Sequence, residues 1–213
     1  DKVEQELVRL YIDRGRYNAH IVSNVDKLER NRVALELVIT EGEASRIKAI
    51  NIIGNKVYTN KDLISLMESG TKYFFEVWSD RDTYASIKLK SDLERIENFY
   101  FNKGYIRFRI LSNQVNLSNN NEDIVLTISV NEGEIYQFGD IKLFGNTVIA
   151  EENIRSSLLK ILKPKEIFSR RKIEQAKGRI AYLLGDKGYP FPDIVSVPIV
   201  EDQTNIVDLE FRV

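Results

Sequence analysis

The 213-residue sequence contains no cysteine and a single histidine, His20. The first absence excludes disulfides, thiol nucleophiles and cysteine-ligated zinc. The second leaves no histidine relay to assemble. His20 alternates out of phase with Ala19 and Ile21, which predicts a solvent-facing strand position. No apolar run approaches the roughly 18 residues that cross a bilayer as a helix, and no signal-peptide pattern opens the chain. The segment is therefore expected to be either cytoplasmic or a piece of a longer exported protein. No Walker-type GxxxxGK-S/T occurs, and GDIKLFGN at 139–146 is not a GxGxxG fingerprint. The paired acids Glu151–Glu152 and Glu201–Asp202 suit a helix start and a solvated turn better than a catalytic pair. No active site, metal ligand or cofactor is expected. A strong charge of either sign is also lacking. Residues 1–43, 44–133 and 134–213 carry −2, +1 and 0 (7 basic against 9 acidic residues, 12 against 11, 12 against 12). A nucleic-acid module usually has a basic face, so this balance argues against that partner.

What is present is a soluble globular composition, 43% hydrophobic and 30% charged, that repeats itself. Residues 41–55 read EGEASRIKAINIIGN and residues 132–146 read EGEIYQFGDIKLFGN, with six identities at a spacing of 91 residues. That period is too long for a solenoid unit and suits a small domain. Other landmarks recur in phase. Glycine followed closely by tyrosine appears at Gly15–Tyr17, Gly104–Tyr105 and Gly188–Tyr189. Before each glycine lies an apolar stripe at helical spacing: Leu7, Leu10 and Tyr11; Ile96, Phe99 and Tyr100; Ile180, Leu183 and Leu184. Glycine just past the stripe suits the left-handed position that closes a helix.

After each glycine the chain predicts a hairpin. Weaker strands around 18–25, 106–117 and 190–199 lead through KLERN (27–31), SNNNED (118–123) and EDQTN (201–205) into strands of strict alternation. These are Val33–Ile39, Ile124–Val130 and Val207–Val213. Ile50 and Ile52, then Ile141 and Leu143, mark a first strand in each complete copy. A GN turn and a short helix follow, capped by Thr59 or Asn60 before Leu63–Met67 in one copy and running over Glu151–Leu162 in the other. The chain therefore divides into 1–41, the C-terminal part of one unit, and two complete units at 42–132 and 133–213. The order in each is strand, helix, helix, strand, strand. The joins near Glu41–Ser45 and Glu132–Tyr136 leave room for limited hinging.

In the last unit Pro190, Pro192 and Pro198 fall on the second strand, which identifies it as a sheet edge because proline cannot donate to a ladder. The middle unit's equivalent, Arg107, Phe108, Arg109, Ile110, Leu111, Ser112, Asn113, Gln114, Val115, Asn116 and Leu117, has no proline. Its apolar positions change from even to odd, which predicts a β-bulge within Leu111–Gln114. An edge with free donors and acceptors can take another strand; the bulge and the flanking arginines can equally serve only to blunt it. The aromatic run ESGTKYFFEVWSDRDT (68–83) between the two helices of this unit is expected to fold back as a local lid, with a partner surface at Tyr73, Phe74, Phe75 and Trp78 as the alternative.

The words RNRVALELVITEG (30–42), INIIGN (50–55), SDLERIENFYFNKGYIRFRI (91–110), SVNEGEIY (129–136) and DKGYPFPDIVSVPIV (186–200) resemble, in this order and spacing, the POTRA domains that stand in tandem before the barrel of Omp85-family proteins. The resemblance covers the whole chain and best fits the end of a second such domain with a third and a fourth. It implies an α+β fold, each domain a three-stranded mixed sheet covered on one face by two helices. It also implies a place on the periplasmic side of the bacterial outer membrane, with membrane contact only through a C-terminal barrel outside this chain. The implied partners are unfolded outer-membrane proteins and accessory lipoproteins of the assembly machine: a propeller protein resembling BamB on the middle domain and, through the wider complex, one resembling BamD. Strand addition at 107–117 is the implied mode of binding. Two rival readings follow from the same features. One is a different POTRA bearer, such as a TamA-like factor, a two-partner secretion transporter or a division protein. The other is an RNA-binding module, which the charge balance and the absence of a GxxG loop disfavour.

Overall fold

A computed structural model of the chain describes residues 2–30, 32–71, 80–145 and 148–213. Tyr73, Phe74, Phe75 and Trp78 lie outside the described residues, as does Asn146 of the second GN pair. The elements run α1 (Lys2–Asp13), β1 (His20–Leu28), β2 (Arg32–Thr40), β3 (Arg46–Ile53), α2 (Asn60–Ser65), α3 (Ser86–Asn102), β4 (Arg109–Leu117), β5 (Asp123–Asn131), β6 (Gln137–Phe144), α4 (Glu151–Leu159), α5 (Arg170–Gly185), β7 (Val195–Glu201) and β8 (Ile206–Arg212). The fold is α+β. By contact density the chain forms two compact units, 1–96 with 110–131 and 97–109 with 132–213. The cuts fall within α3, after the first residue of β4 and directly after β5.

The first unit holds the antiparallel β1–β2 hairpin and a three-stranded sheet in the order β3-β5-β4. β3 runs parallel to β5, Arg46 facing Asp123 and Ile52 facing Ile128. β5 shows the expected alternation, with Ile124, Leu126, Ile128 and Val130 buried, half-buried residues between them and Asn131 exposed at the end. Thr59 caps α2 in a capping box: its side chain accepts from the Asp62 backbone and the Asp62 carboxylate accepts in return. Of the two expected caps the structure uses Thr59, so the helix starts at Asn60, and it ends at Ser65, short of Met67. His20 is exposed as expected, whereas Val33 and Leu35 of the two-stranded sheet stay more than half exposed.

The second unit repeats the plan, with sheet order β6-β8-β7, β8 parallel to β6 and antiparallel to β7. Ile154 and Leu158 of α4 and Ile173, Ala176, Ile180 and Leu184 of α5 share one core with Phe138, Ile141, Val207, Leu209 and Phe211 of the sheet. α4 ends at Leu159 rather than Leu162. Leu162 is nevertheless fully buried in the same core, and its amide still bonds back to Leu158 at 2.8 Å.

Gly15, Gly104 and Gly188 all have positive φ (78°, 96° and 92°). After each, an amide reaches back five residues to close the helix: Arg16 to Tyr11 (2.9 Å), Tyr105 to Tyr100 (3.0 Å) and Tyr189 to Leu184 (3.0 Å). The strands that follow start later than the sequence suggests, at His20, Arg109 and Val195. At 104–108 the cause is a tight turn closed by Phe108 N–H on Tyr105 C=O. At 190–194 it is Pro190 and Pro192, which offer no donor to a ladder.

Register shifts fall in the first strand of both complete copies, between Ile47 and Ala49 and between Phe138 and Ile141. Each gives that strand one residue more than its partner. At the β6 bulge a Cβ on Gly139 would stand 2.0 Å from the Asp208 carboxylate and 2.4 Å from Ile206, so a larger residue there would displace those side chains.

Candidate functional site

Both second strands are sheet edges, as their sequences predict. Among the described residues β4 borders only β5, and β7 only β8. Within β4, Ile110 and Val115 are half-buried and the residues between them exposed. Two inward residues five apart cannot share a face of a regular strand, so the burial pattern carries the expected change of parity. Leu111, at 64% exposure, projects a large apolar side chain from this edge, and Ser112, Asn113, Gln114 and Leu117 are exposed with it. β7 is shorter and interrupted by Pro198 opposite Leu209.

The structure separates Arg107 and Phe108 from the rest of the predicted edge. Phe108 is 2% exposed and stacks on Tyr100 with ring centroids 4.0 Å apart, so it belongs to the core. Arg107 pairs bidentately with Asp202 at 3.1 and 2.8 Å. The open edge therefore runs from Arg109 to Leu117.

Arg107 opens a second kind of site, the join between repeats, which has the same three contacts twice. Counted from the helix-closing glycine, the residue two before it, the glycine carbonyl and the residue three after it each touch the following copy. In the first unit, Ser86 donates to Asp13 (3.4 Å) and Ser45 N–H donates to Gly15 C=O (2.8 Å). Asn18 exchanges amide hydrogen bonds with Asn120 and Asn121 (3.1 and 2.9 Å). In the second unit, Asn102 Oδ1 accepts from the Arg171 backbone at the start of α5 (2.7 Å). Tyr136 N–H donates to Gly104 C=O (2.9 Å), and Arg107 takes Asp202. In both, the receiving residue's carbonyl then accepts from a residue just ahead of the next helix, Tyr84 at 3.1 Å or Phe168 at 2.9 Å. The EDQTN turn is thus not merely solvated, because Asp202 anchors a join.

The third contact differs in chemistry between the two joins, amide against amide in one and ion pair in the other. Asp202 also accepts from the Tyr136 hydroxyl at 2.6 Å. That bond, and then Arg107, hold the Asp202 carboxyl below its ordinary range; the same bond, with some desolvation, pushes the Tyr136 phenol up. A depressed carboxyl contributes stability above its unfolded pKa, about 4, and loses it as pH falls through the lower folded value. The difference in urea midpoint between the parent and Arg107→Ala is therefore expected to hold from neutrality down to about pH 4 and to close below it. A gap that closed between about pH 7 and 6 would assign the effect to another group.

A three-stranded mixed sheet with two helices, repeated head to tail through a common join, defines a tandem α+β repeat module. The POTRA family pattern, described as surface antigen variable number repeat, matches residues 45–133 and 136–213. The chain belongs to the POTRA family. It is 31% identical over 206 residues to the outer membrane protein assembly factor BamA of Neisseria meningitidis serogroup B, covering 95% of this chain and 25% of that protein. It is 25% identical over 203 residues to BamA of Buchnera aphidicola, covering 95% and 33%. The chain thus spans between a quarter and a third of the length of these curated relatives. Among solved structures, POTRA3-5 of Haemophilus influenzae BamA aligns with a TM-score of 0.65 at 24% identity, over 79% of this chain and 65% of that one. At this identity the likeness concerns the fold.

Proposed function

We propose that the chain is the periplasmic POTRA segment of an outer-membrane β-barrel assembly factor and that β4 receives extended strands of nascent outer-membrane proteins. Residues 1–41 would end one POTRA domain, with 42–132 and 133–213 as the third and fourth of the series. The observation that carries the reading is the edge itself: nine residues without proline, bordered on one side only, with Leu111 exposed as a side-chain anchor. Similarity to proteins named as assembly factors supports the cellular role. The same segment would scaffold accessory lipoproteins of the machine, a BamB-like propeller on the middle domain and a BamD-like protein through the wider complex. It acts by binding and not by catalysis.

Energetics favour a transient contact. Four or five added backbone hydrogen bonds give roughly 0.5–1.5 kcal/mol net each, while ordering a flexible peptide costs roughly 1–2 kcal/mol per residue. The two nearly cancel, so strand addition alone is weak and tolerant of sequence, as a site that serves many clients requires. A longer-lived partner must add side-chain contacts, and Leu111, Val115 and Leu117 are placed to supply them. A synthetic strand from an outer-membrane barrel, N-methylated at alternate residues, tests the mode of binding. Methylation in one register is expected to abolish binding and in the other to leave it unchanged, because only alternate amides of an added strand face β4. Equal affinities for the two peptides would rule out strand addition.

A further inference from the structure

By the measure that singles out β4, β1 ought to accept a strand as well. It too follows a helix-closing glycine, runs for nine residues without proline and borders only β2 among the described residues. Val22, Val25 and Leu28 along it are exposed, as Leu111 and Leu117 are on β4. One contact sets the two edges apart. The Ser23 backbone N–H, near the middle of β1, donates to Glu4 Oε1 on α1 at 2.9 Å. A strand amide that donates to a helix side chain points away from β2, and strand geometry turns the amides of Ile21, Val25 and Lys27 the same way. The Glu4 carboxylate therefore stands where a carbonyl of an incoming strand would have to sit.

The helix position that supplies this contact differs in each copy. Glu4 stands eleven residues before Gly15; at the same offset from Gly104 and Gly188 stand Leu93 and Lys177. Neither of those side chains can accept a hydrogen bond. The strands, by contrast, agree: eight residues after each glycine comes a serine, at Ser23, Ser112 and Ser196. Among the described residues no side chain accepts from an amide of β4. β7 loses an outward donor by another route. Pro198 holds the offset of Val25, has no N–H, and sits in an edge strand with its nitrogen on the outer side. We propose that Glu4 is a plug on the β1 edge, and that Glu4 and Pro198 together direct client strands to β4. An incoming strand at β1 finds its central donor already taken, and its own carbonyl dipole faces a carboxylate of like sign. With the plug removed, β1 takes an extended strand by pairing at Ile21, Ser23, Val25 and Lys27. The inference rests on strand addition as the mode of client binding at β4 and adds which equivalent edges are closed to it.

Glu4→Leu and Glu4→Lys install the residues that the other two copies carry at this helix position, and both are good helix formers. In the 213-residue chain without peptide, the Ser23 amide is expected to exchange about tenfold faster in either variant, the effect of one hydrogen bond removed. A synthetic outer-membrane barrel strand is then added in excess. The parent is expected to gain protection in β4 alone. Both variants are expected to gain it in β1 as well, at Ile21, Ser23, Val25 and Lys27, and to bind two peptides per chain rather than one. The amides of Val22 and Asn24, which face β2, report on the hairpin and should not change; their loss of protection in both variants would make Glu4 a strut of the hairpin and sink the plug. Equal Ser23 exchange in all three chains, or a β1 response to peptide that is the same with and without Glu4, would overturn the proposal. β4 protected with β1 bare in both variants refutes the plug alone. Protection gained in β1 on losing Glu4, with none in β4, upholds the plug and refutes β4 as the client edge.

Discussion

Replacing Phe211 by alanine is expected to lower the unfolding free energy of the second unit by about 3–5 kcal/mol. Phe211 lies on β8, the central strand, between Leu143 of β6 and Ser196 of β7. Its side chain is fully buried in the core that α4 and α5 share with the sheet. Alanine removes most of the ring from a site held by hydrogen-bonded strands on both sides, which cannot close over the void, so a cavity term adds to the lost transfer energy. Phe211→Leu keeps much of the volume and is expected to cost markedly less. Urea titrations of the two variants give the comparison, and the slope of the transition should not change. A loss below about 1 kcal/mol for Phe211→Ala, the size of a surface substitution, would show that β8 does not organise this core.

Asp92→Ala is expected to destabilise the first unit by about 2–5 kcal/mol, on the order of two stranded backbone donors. The Asp92 side chain on α3 has no exposure, and its carboxylate accepts the backbone N–H groups of Glu68 and Ser69 at 2.6 and 2.9 Å. Arg95 donates to the same carboxylate at 2.8 Å and to Glu68 at 2.8 Å. Removing the carboxylate leaves both backbone donors without partners in a place where Ser69 is 1% exposed. Asn at position 92 retains one acceptor oxygen and is expected to fall between parent and alanine. Arg95→Ala should cost least, about 1 kcal/mol or less, since Arg95 is half exposed and Asp92 keeps its two backbone donors. The order Asp92→Ala, Asp92→Asn, Arg95→Ala separates this role from that of a simple ion pair. An arginine variant as damaging as Asp92→Ala would reverse the assignment.

The architecture was legible in the sequence because its signals are local and occur more than once. Alternation at Ile124–Val130 and Val207–Val213, the stripes before Gly104 and Gly188, and the prolines on the last copy's second strand give strand, helix and edge directly. Element ends were less so. α2 starts after its expected cap Thr59 but ends at Ser65, short of Met67, and α4 stops at Leu159 although Leu162 keeps the apolar spacing. The site was read in part. Proline content places the open edge on β4, but Phe108 continues the alternation of that strand while the turn at Gly104 carries it into the core beside Tyr100. Asp202 and Asp92 escaped because a carboxylate's partner, 95 residues away in one case and 23 or 24 in the other, leaves no mark on local pattern. The joins could have been found: the offsets of two before and three after the glycine are constant, and only their chemistry changes from copy to copy.

The proposed acceptance of an extended client strand at the β4 edge can be followed amide by amide. Amide exchange followed residue by residue, with and without a peptide from an outer-membrane barrel strand, tests it most directly. Alternate amides across Arg109–Leu117 are expected to slow on binding, while those of β7, with Pro198 in the strand, remain as they were. Unchanged exchange throughout β4 in the presence of bound peptide would contradict the account.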